Sequence, residues 1–422
     1  MGGAEGEIHE SVKLSGKIQR NIRHIFIVQL YFFFLLFIIE NLFMEYILRG
    51  VILVVNSKKT ALYDSHLRLK AKMTDYYGWQ LPVEFEGLTT EHEAVRNDAG
   101  IFDVSHMGEI EIKGEDAKDF VNYLSTNDIT TLNENQILYT FFLYPEGGVV
   151  DDLLIYKFSD THYFLVVNAS NAQKDYEWIK EHKNDYKVEI NDLSDKYSEI
   201  AIQGPKAEQI LQKLTDTDLS TIKFFYVDRN VVVDGKEAIV SRTGYTGEDG
   251  FEVYLANDDI EEVWEKLLEV GKEEGLKPAG LGSRDTLRFE ANLPLYGNEL
   301  SRDITPLEAG LGFFVKLNKE SDFIGKEALK KQKEEGLKRK IVGFELIGKG
   351  IPRHGYEVYK DDKKIGFVTT GYHSPTLKKN IGKAMVDIEY SKLDTEIEIQ
   401  IRKRTVKAKV VSTKFLNKKT KK

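Results

Sequence analysis

The most suggestive chemistry in this sequence is a pair of adjacent carboxylates after a glycine turn. Gly147 and Gly148 precede Asp151 and Asp152. Glycines permit a tight reversal before a strand, and successive side chains of a strand point to opposite faces. We therefore expect one of the two carboxyl groups to face a site, where it could act as an acid, a base or a charge-stabilising group. An isolated Asp-Asp pair more often belongs to a turn or a helix cap.

Three more residue types could bind a flat, polar ligand. Tyr245 lies between Gly244 and Gly247, and glycines let a backbone approach a ligand closely. Glu252 follows on a predicted strand, and Arg284 lies at the start of a predicted helix. Each has an ordinary alternative: the glycine loop fits a hairpin turn, the glutamate a solvated strand face, and the arginine a surface ion pair.

Short strands and helices must position these residues. Residues 109–113 alternate with period two, and a helical pattern follows them. Residues 153–158 and 163–167 predict paired strands, with a helix near 172–182. Strand pairs interleaved with helices favour an α+β fold with antiparallel sheets over a doubly wound parallel sheet.

The last quarter of the chain has a different pattern. Residues 326–340 are highly charged and predict a solvent-facing helix and linker. Short strands predicted at 342–346, 356–359, 397–401 and 406–411 then succeed one another without helices, which indicates a small β-barrel over residues 341–416. The interpretation is thus a two-part body at 58–325, a linker at 326–340, a terminal barrel and a basic tail at 417–422.

Composition excludes several classes of function. The chain has 422 residues with a formal net charge of −9, so a nucleic-acid partner is not expected. It contains no cysteine, which excludes disulfides, thiolate nucleophiles and thiolate metal sites. The nine histidines show no ligand spacing, and no metal is expected. We expect a cytoplasmic location.

Residues 1–57 differ in character from the rest. Residues 25–39 form an apolar run behind several basic residues. The run is shorter than the roughly 20 residues that span a bilayer, and no small-residue cleavage site follows it. We interpret the segment as an extension foreign to the domain that begins near residue 58, as an upstream start codon would produce. A membrane anchor within residues 25–55 is the alternative.

Six ordered motifs extend over most of the chain: LYD at 62–64 with GWQLPV at 78–83, FDVSHMGE at 102–109, GGVVDDL at 147–153, TGYTGEDGFE at 243–252, AGLGSRD at 279–285 with LYG at 295–297, and SPTL at 374–377. Together they resemble the aminomethyltransferase family, the T-proteins of the glycine cleavage system, across residues 58–416. Any single motif would be weak, whereas chance agreement of all six in order is negligible.

The resemblance implies roles for individual residues. Asp152 would lie beside the folate nitrogens as the catalytic carboxylate. Glu252 would accept hydrogen bonds from the amino-pterin edge, and Arg284 would bind a folate carboxylate or orient the lipoyl arm. The remaining folate-binding positions implied by the resemblance are Tyr245, Met107, Tyr139 and Tyr156. Without the resemblance, Met107, Tyr139 and Tyr156 would each be predicted as core residues.

The implied reaction moves a one-carbon unit from the aminomethylated lipoyl group of H-protein to tetrahydrofolate, releasing ammonia and forming 5,10-methylenetetrahydrofolate. Relatives that carry the same domain on a flavin dehydrogenase would need a Gly-x-Gly-x-x-Gly fingerprint, which is not found here. The relatives that maintain iron–sulfur clusters carry a hallmark cysteine, which this chain lacks. A non-catalytic folate-binding regulator and a membrane-anchored scaffold remain the alternatives.

Overall fold

Structure is described for residues 57–416 in a computed structural model of the chain. The expectations for the hydrophobic extension and the basic tail concern residues 1–56 and 417–422, which lie outside the described residues. The described residues from Lys59 onward belong to one structural unit. Within the described part, no helix is both long and apolar enough to cross a membrane.

Asp151 and Asp152 lie on a five-stranded antiparallel sheet. Its apolar side chains pack against two amphipathic helices and exclude water from a core that contains Phe120, Phe142 and Trp178. The sheet has the order β6-β7-β8-β5-β9. Its strands are β5 (Gly108–Lys113), β6 (Gln136–Leu143), β7 (Val149–Ser159), β8 (His162–Val167) and β9 (Glu189–Asp192), and the helices are α3 (Ala117–Leu124) and α4 (Ala172–Glu181).

Glu252 lies on a second, six-stranded sheet of order β11-β12-β13-β10-β4-β14. All of its pairings are antiparallel except that of β14 with β4. Helix α6 covers it with Ile260, Val263, Trp264 and Leu267, which share one face at helical spacing. The elements are β4 (Ala99–Asp103), β10 (Tyr197–Gln203), β11 (Val227–Val233), β12 (Lys236–Ser241), β13 (Gly250–Ala256), β14 (Leu276–Pro278), α5 (Ala207–Leu211) and α6 (Ile260–Val270).

A smaller group of elements completes the body. Strands β2 and β3 form an antiparallel hairpin, and Arg284 lies in the first turn of α7. These elements, with the remaining short ones, are β1 (Lys58–Lys59), β2 (Lys72–Tyr76), β3 (Trp79–Glu84), α1 (Tyr63–Arg68), α2 (Leu88–Asn97), α7 (Leu281–Glu290) and α8 (Lys326–Glu335).

The C-terminal strands close into a six-stranded barrel. Alternate residues of β19 and β20, such as Ile399 and Ala408, fill its interior, and the intervening residues face outward. The strands are β15 (Arg339–Leu346), β16 (Glu357–Lys360), β17 (Lys363–His373), β18 (Asn380–Asp387), β19 (Glu396–Ile401) and β20 (Arg404–Val411). The predicted α+β fold with antiparallel sheets and a terminal barrel is confirmed, although β17 and β18 were not predicted.

Candidate functional site

A cavity of about 710 Å³ lies in the body of the protein. Both sheets contribute to it, since Asp152 on β7 and Glu252 on β13 line the same space. The walls are largely apolar, and a few polar groups converge on the interior, as in most small-molecule sites. The apolar walls include Leu154, Val166, Phe225, Leu293 and Phe314.

A glycine turn places Asp152 at the start of β7. A Cβ on Gly148 would lie 1.7 Å from the carbonyl oxygen of Arg302, so no side chain fits there. The Asp152 Oδ2 accepts a hydrogen bond from the Tyr139 hydroxyl at 2.8 Å, and its Oδ1 accepts one from Asn168 Nδ2 at 3.0 Å. These two bonds hold the carboxyl group at the cavity wall.

The surroundings of Asp152 raise its affinity for a proton. Burial, followed by the charge of Asp151, raises the pKa of Asp152 to about 7, and the hydrogen bonds from Tyr139 and Asn168 oppose the shift. A carboxyl group with a pKa near neutrality can gain or lose a proton at physiological pH. Asp151 points the other way, as the strand alternation predicts, and is fully buried.

Glu252 is a buried acceptor on the opposite wall. The Thr243 hydroxyl donates to its Oε2 at 2.5 Å, and burial raises the pKa of its carboxyl group. Thr243 also shares a hydrogen bond of 2.6 Å with Ser241. The Glu252 carboxyl group is therefore held by a short hydroxyl relay from β12.

Tyr156 does not line this cavity. It is fully buried between the two sheets, where its hydroxyl pairs with those of Tyr254 at 2.8 Å and Ser241 at 3.2 Å. The structure thus places Tyr156 behind the wall, at the far end of the relay that reaches Glu252. It could support the carboxylate, but it is not brought to the cavity as a contact residue.

Arg284 and Tyr245 form a stacked pair at one end of the cavity. The Arg284 guanidinium centre lies 4.8 Å from the centroid of the Tyr245 ring. The Tyr245 hydroxyl donates to the Pro294 carbonyl oxygen, which fixes the ring. The Nη1 atom of Arg284 is buried without a hydrogen-bond partner among the described residues, so it is an available donor. Met107 and Tyr139 line the cavity as well.

Two polar residues of the site escaped the sequence analysis. Asn168 follows β8 directly and bonds to both aspartates. Glu199 lies on β10 and lines the cavity, and its buried Oε2 has no partner among the described residues. A glutamate directly before the apolar run at 200–202 was the available signal for Glu199, and a polar residue at a strand end was the signal for Asn168.

A second cavity of about 360 Å³ adjoins the first. Met107, Asn168, Tyr245 and Arg284 line both of them. The other wall of the smaller cavity includes Tyr76, His106 and Tyr296. Within residues 57–416, no cluster of three or more His, Asp or Glu side chains could hold a metal ion.

A largely apolar cavity with carboxyl acceptors and a stacked cation, in an α+β body with a terminal barrel, is the arrangement of a small-molecule binding site. Two family models match the chain: the GCVT N-terminal domain at residues 62–319 and the glycine cleavage T-protein C-terminal barrel domain at residues 339–417. The chain therefore belongs to the glycine cleavage T-protein family.

Similar proteins agree with this assignment. The aminomethyltransferase of Alkaliphilus oremlandii is 64% identical over 365 residues, covering 86% of this chain and 99% of that protein. The one from Thermoanaerobacter pseudethanolicus is 64% identical over 367 residues, covering 87% and 100%. The crystal structure of aminomethyltransferase T from Bartonella henselae superimposes with a TM-score of 0.80 at 29% identity, covering 86% and 99%. These matches favour an aminomethyltransferase over a non-catalytic regulator.

Proposed function

We propose that the cavity binds tetrahydrofolate. The enzyme then transfers to tetrahydrofolate the one-carbon unit carried by the aminomethylated lipoyl group of H-protein. The transfer releases ammonia and forms 5,10-methylenetetrahydrofolate. The observation that supports this most directly is the Asp152 carboxyl group, held at the wall of a 710 Å³ cavity with a pKa near 7. Bound tetrahydrofolate would supply the ring nitrogens that accept the one-carbon unit.

The residues of the cavity suit such a ligand. A pterin edge presents adjacent N–H donors, and both Glu252 and Glu199 offer carboxyl oxygens there. The Glu199 Oε2 and the Arg284 Nη1 have no protein partner within the described part of the chain. An acceptor and a donor left unpaired when buried are costly, so both favour a ligand that pairs with them.

Asp152 would act by position and charge. Positive charge develops in the cavity as ammonia leaves the donor, and an ionised carboxylate at the wall would stabilise it. The hydrogen bonds from Tyr139 and Asn168 hold that carboxylate in place before the reaction, so little reorganisation is needed. Arg284, at the junction of the two cavities, would bind the negatively charged end of the folate or orient the lipoyl arm.

The division of the chain remains part of this proposal. The proposed division is a body at 58–325, a linker at 326–340 and a barrel at 341–416. The helix Lys326–Glu335 precedes the first barrel strand, Arg339–Leu346, which supports this order, although the strand begins two residues before the proposed boundary. The cytoplasmic location also remains a prediction.

The test of this proposal is the substitution Asp152→Asn, which keeps the shape of the side chain and removes its charge. We expect kcat to fall on the order of a hundredfold, as for the loss of one preorganised electrostatic group, while the Kd of tetrahydrofolate changes little. Ammonia release from aminomethylated H-protein measures kcat, and calorimetry measures Kd.

The control is Asp160→Asn. The Asp160 side chain is 58% exposed and lies in the turn after β7, at the opposite end of that strand from Asp152. It should leave both quantities unchanged. Turnover at the wild-type rate in Asp152→Asn would contradict the role of Asp152. A wild-type enzyme that bound tetrahydrofolate but released no ammonia would contradict the proposed reaction.

A further inference from the structure

A second carboxyl group lies behind the cavity wall, against Asp151. Asp175, in the first half of α4, is fully buried, as is Asp151 on β7. Their carboxyl groups face each other within hydrogen-bond range. Two buried acids in contact cannot both be ionised without strong repulsion, so their protonation state needs an explanation.

The hydrogen bonds around the two acids are unequal. Asp151 accepts bonds from Asn171 Nδ2 at 2.6 Å, from Asn168 Nδ2 at 2.8 Å and from the Asn168 backbone N–H at 3.1 Å. Both oxygens of Asp175, by contrast, are buried and accept no hydrogen bond from a donor of the described residues. Two carboxylates cannot bond to each other, so the contact is favourable only if a proton lies between them.

The charged and titratable neighbours do not supply a replacement for that proton. Lys174 directs its Nζ to the Val150 carbonyl oxygen at 2.5 Å and stands 4.4 Å from the centroid of the Tyr296 ring. Burial, followed by the charge of Asp151, raises the pKa of Asp175 well above its usual value. The titratable groups that interact with the pair through their charges are Lys174 on α4, Asp152 on β7, Tyr139 on β6 and Tyr296 in the segment after α7. Asp152 and Tyr139 lie on the cavity side of the sheet.

The pair is connected to the cavity through one amide. Asn168 Nδ2 donates to Asp151 Oδ1 at 2.8 Å and to Asp152 Oδ1 at 3.0 Å. A change in the position of Asp151 would therefore move the amide that holds Asp152. Side-chain networks of this kind act as units when all members are satisfied.

We propose that Asp151 and Asp175 share one proton at neutral pH and that this pair, acting through the Asn168 amide, positions the Asp152 carboxyl group at the cavity wall. Asp175 is then a positioning residue that acts on the ligand only through Asp151, Asn168 and Asp152. The inference rests on the proposed function only in taking Asp152 as the reacting carboxylate.

The first test compares Asp175→Asn with Asp175→Leu. The amide N–H of asparagine can donate to Asp151 in place of the shared proton, so kcat should stay within about threefold of wild type. Leucine cannot donate, so kcat should fall by about tenfold or more, with the Kd of tetrahydrofolate unchanged. Equal loss in both variants would overturn the positioning role, as would full activity in Asp175→Leu.

The second test counts the proton and needs no activity. Because the folded state holds a proton that the unfolded state releases, this pair contributes most stability at low pH and loses it as pH rises through the folded pKa. Urea unfolding of the wild-type enzyme from pH 5 to pH 9 should show this decline in the free energy of unfolding. In Asp175→Asn the slope of that free energy against pH should be smaller by the equivalent of about one proton.

The matched control is Glu177→Gln, an exposed acid on the same helix, which should keep the wild-type slope. An Asp175→Asn slope equal to that of wild type would overturn the shared proton. If the wild-type enzyme released no ammonia while the proton count held, the proposed reaction would fail and the shared proton would stand.

Discussion

The Tyr139 hydroxyl should set the pH at which the enzyme becomes active. It donates to Asp152 Oδ2 at 2.8 Å and lowers the pKa of a carboxyl group that burial raises to about 7. Removing it in Tyr139→Phe takes away a hydrogen bond to a charged acceptor, worth about 1.5–3 kcal/mol. At about 1.4 kcal/mol per pKa unit, the pKa of Asp152 should rise by about 1–2 units.

This rise translates into a loss of activity at neutral pH. A carboxyl group with a pKa of about 7 is half ionised at pH 7, and a rise of about 1–2 units leaves roughly 10% to 1% ionised. If the ionised form is the active one, kcat/KM at pH 7 should fall about 5- to 50-fold. At pH 9 the deficit should shrink to about twofold or less.

The assay is kcat/KM for ammonia release, measured from pH 5.5 to pH 9.5 with aminomethylated H-protein and tetrahydrofolate. Tyr163→Phe is the matched control, because the Tyr163 hydroxyl is buried without a hydrogen-bond partner among the described residues. Its profile should match that of wild type. A Tyr139→Phe profile whose acidic limb stays in place, or moves to lower pH, would refute the reasoning.

Three further predictions concern the walls and their support. Glu252→Gln should raise the Kd of tetrahydrofolate about 10- to 100-fold, because it weakens hydrogen bonds to a charged acceptor; calorimetry would show this, and an unchanged Kd would remove Glu252 from the site. Arg284→Lys should raise KM about tenfold by losing the planar donor fork and the contact with Tyr245, and an unchanged KM in steady-state kinetics would contradict it. Arg288→Met leaves the buried Glu299 without the guanidinium that donates to it at 2.8 Å; urea unfolding should show a loss of about 3–5 kcal/mol, and a smaller loss when Glu299→Gln is added.

Local patterns were sufficient to predict that the two aspartates lie on opposite faces of a strand, whereas the choice of Asp152 as the site residue came from the resemblance to the aminomethyltransferase family. Period-two alternation separates Asp151 from Asp152, and the structure shows one buried behind the wall and the other lining the cavity. The glycine pair at 147 and 148 also predicted the turn before β7. The structure agrees, because Gly148 has no space for a side chain. Such features depend on a few consecutive residues, so they can be read from the sequence.

The position of Tyr156 could not be predicted in the same way. It shares a strand face with Asp152 and Leu154, so alternation alone suggests that it faces the same space. The second sheet covers that end of β7, where Tyr254 packs against Tyr156 and the two hydroxyl groups lie 2.8 Å apart. Contacts between two sheets distant in sequence decide which part of a face stays open.

Asn168, Glu199 and Asp175 were missed for a related reason. Asn168 and Glu199 carry only the weak local signal of a polar residue beside an apolar run, and Asp175 is an ordinary polar residue on a helix. Their importance arises from unpaired buried oxygens or from shared partners, which appear only when the elements pack. The strands β17 and β18 were missed because glycines interrupt their apolar pattern.

The cavity has a consequence for how the protein matures. Its walls come from β7, β13 and α7, which extend from Val149 to Glu290 along the chain. A nascent or partly folded molecule therefore has no complete pocket. A ligand that recognises only the finished pocket adds RT ln(1 + [L]/Kd) to its stability, about 2.7 kcal/mol at a hundred times Kd. Cellular supply of the folate could therefore govern how long each copy survives proteolysis, as well as how fast it turns over.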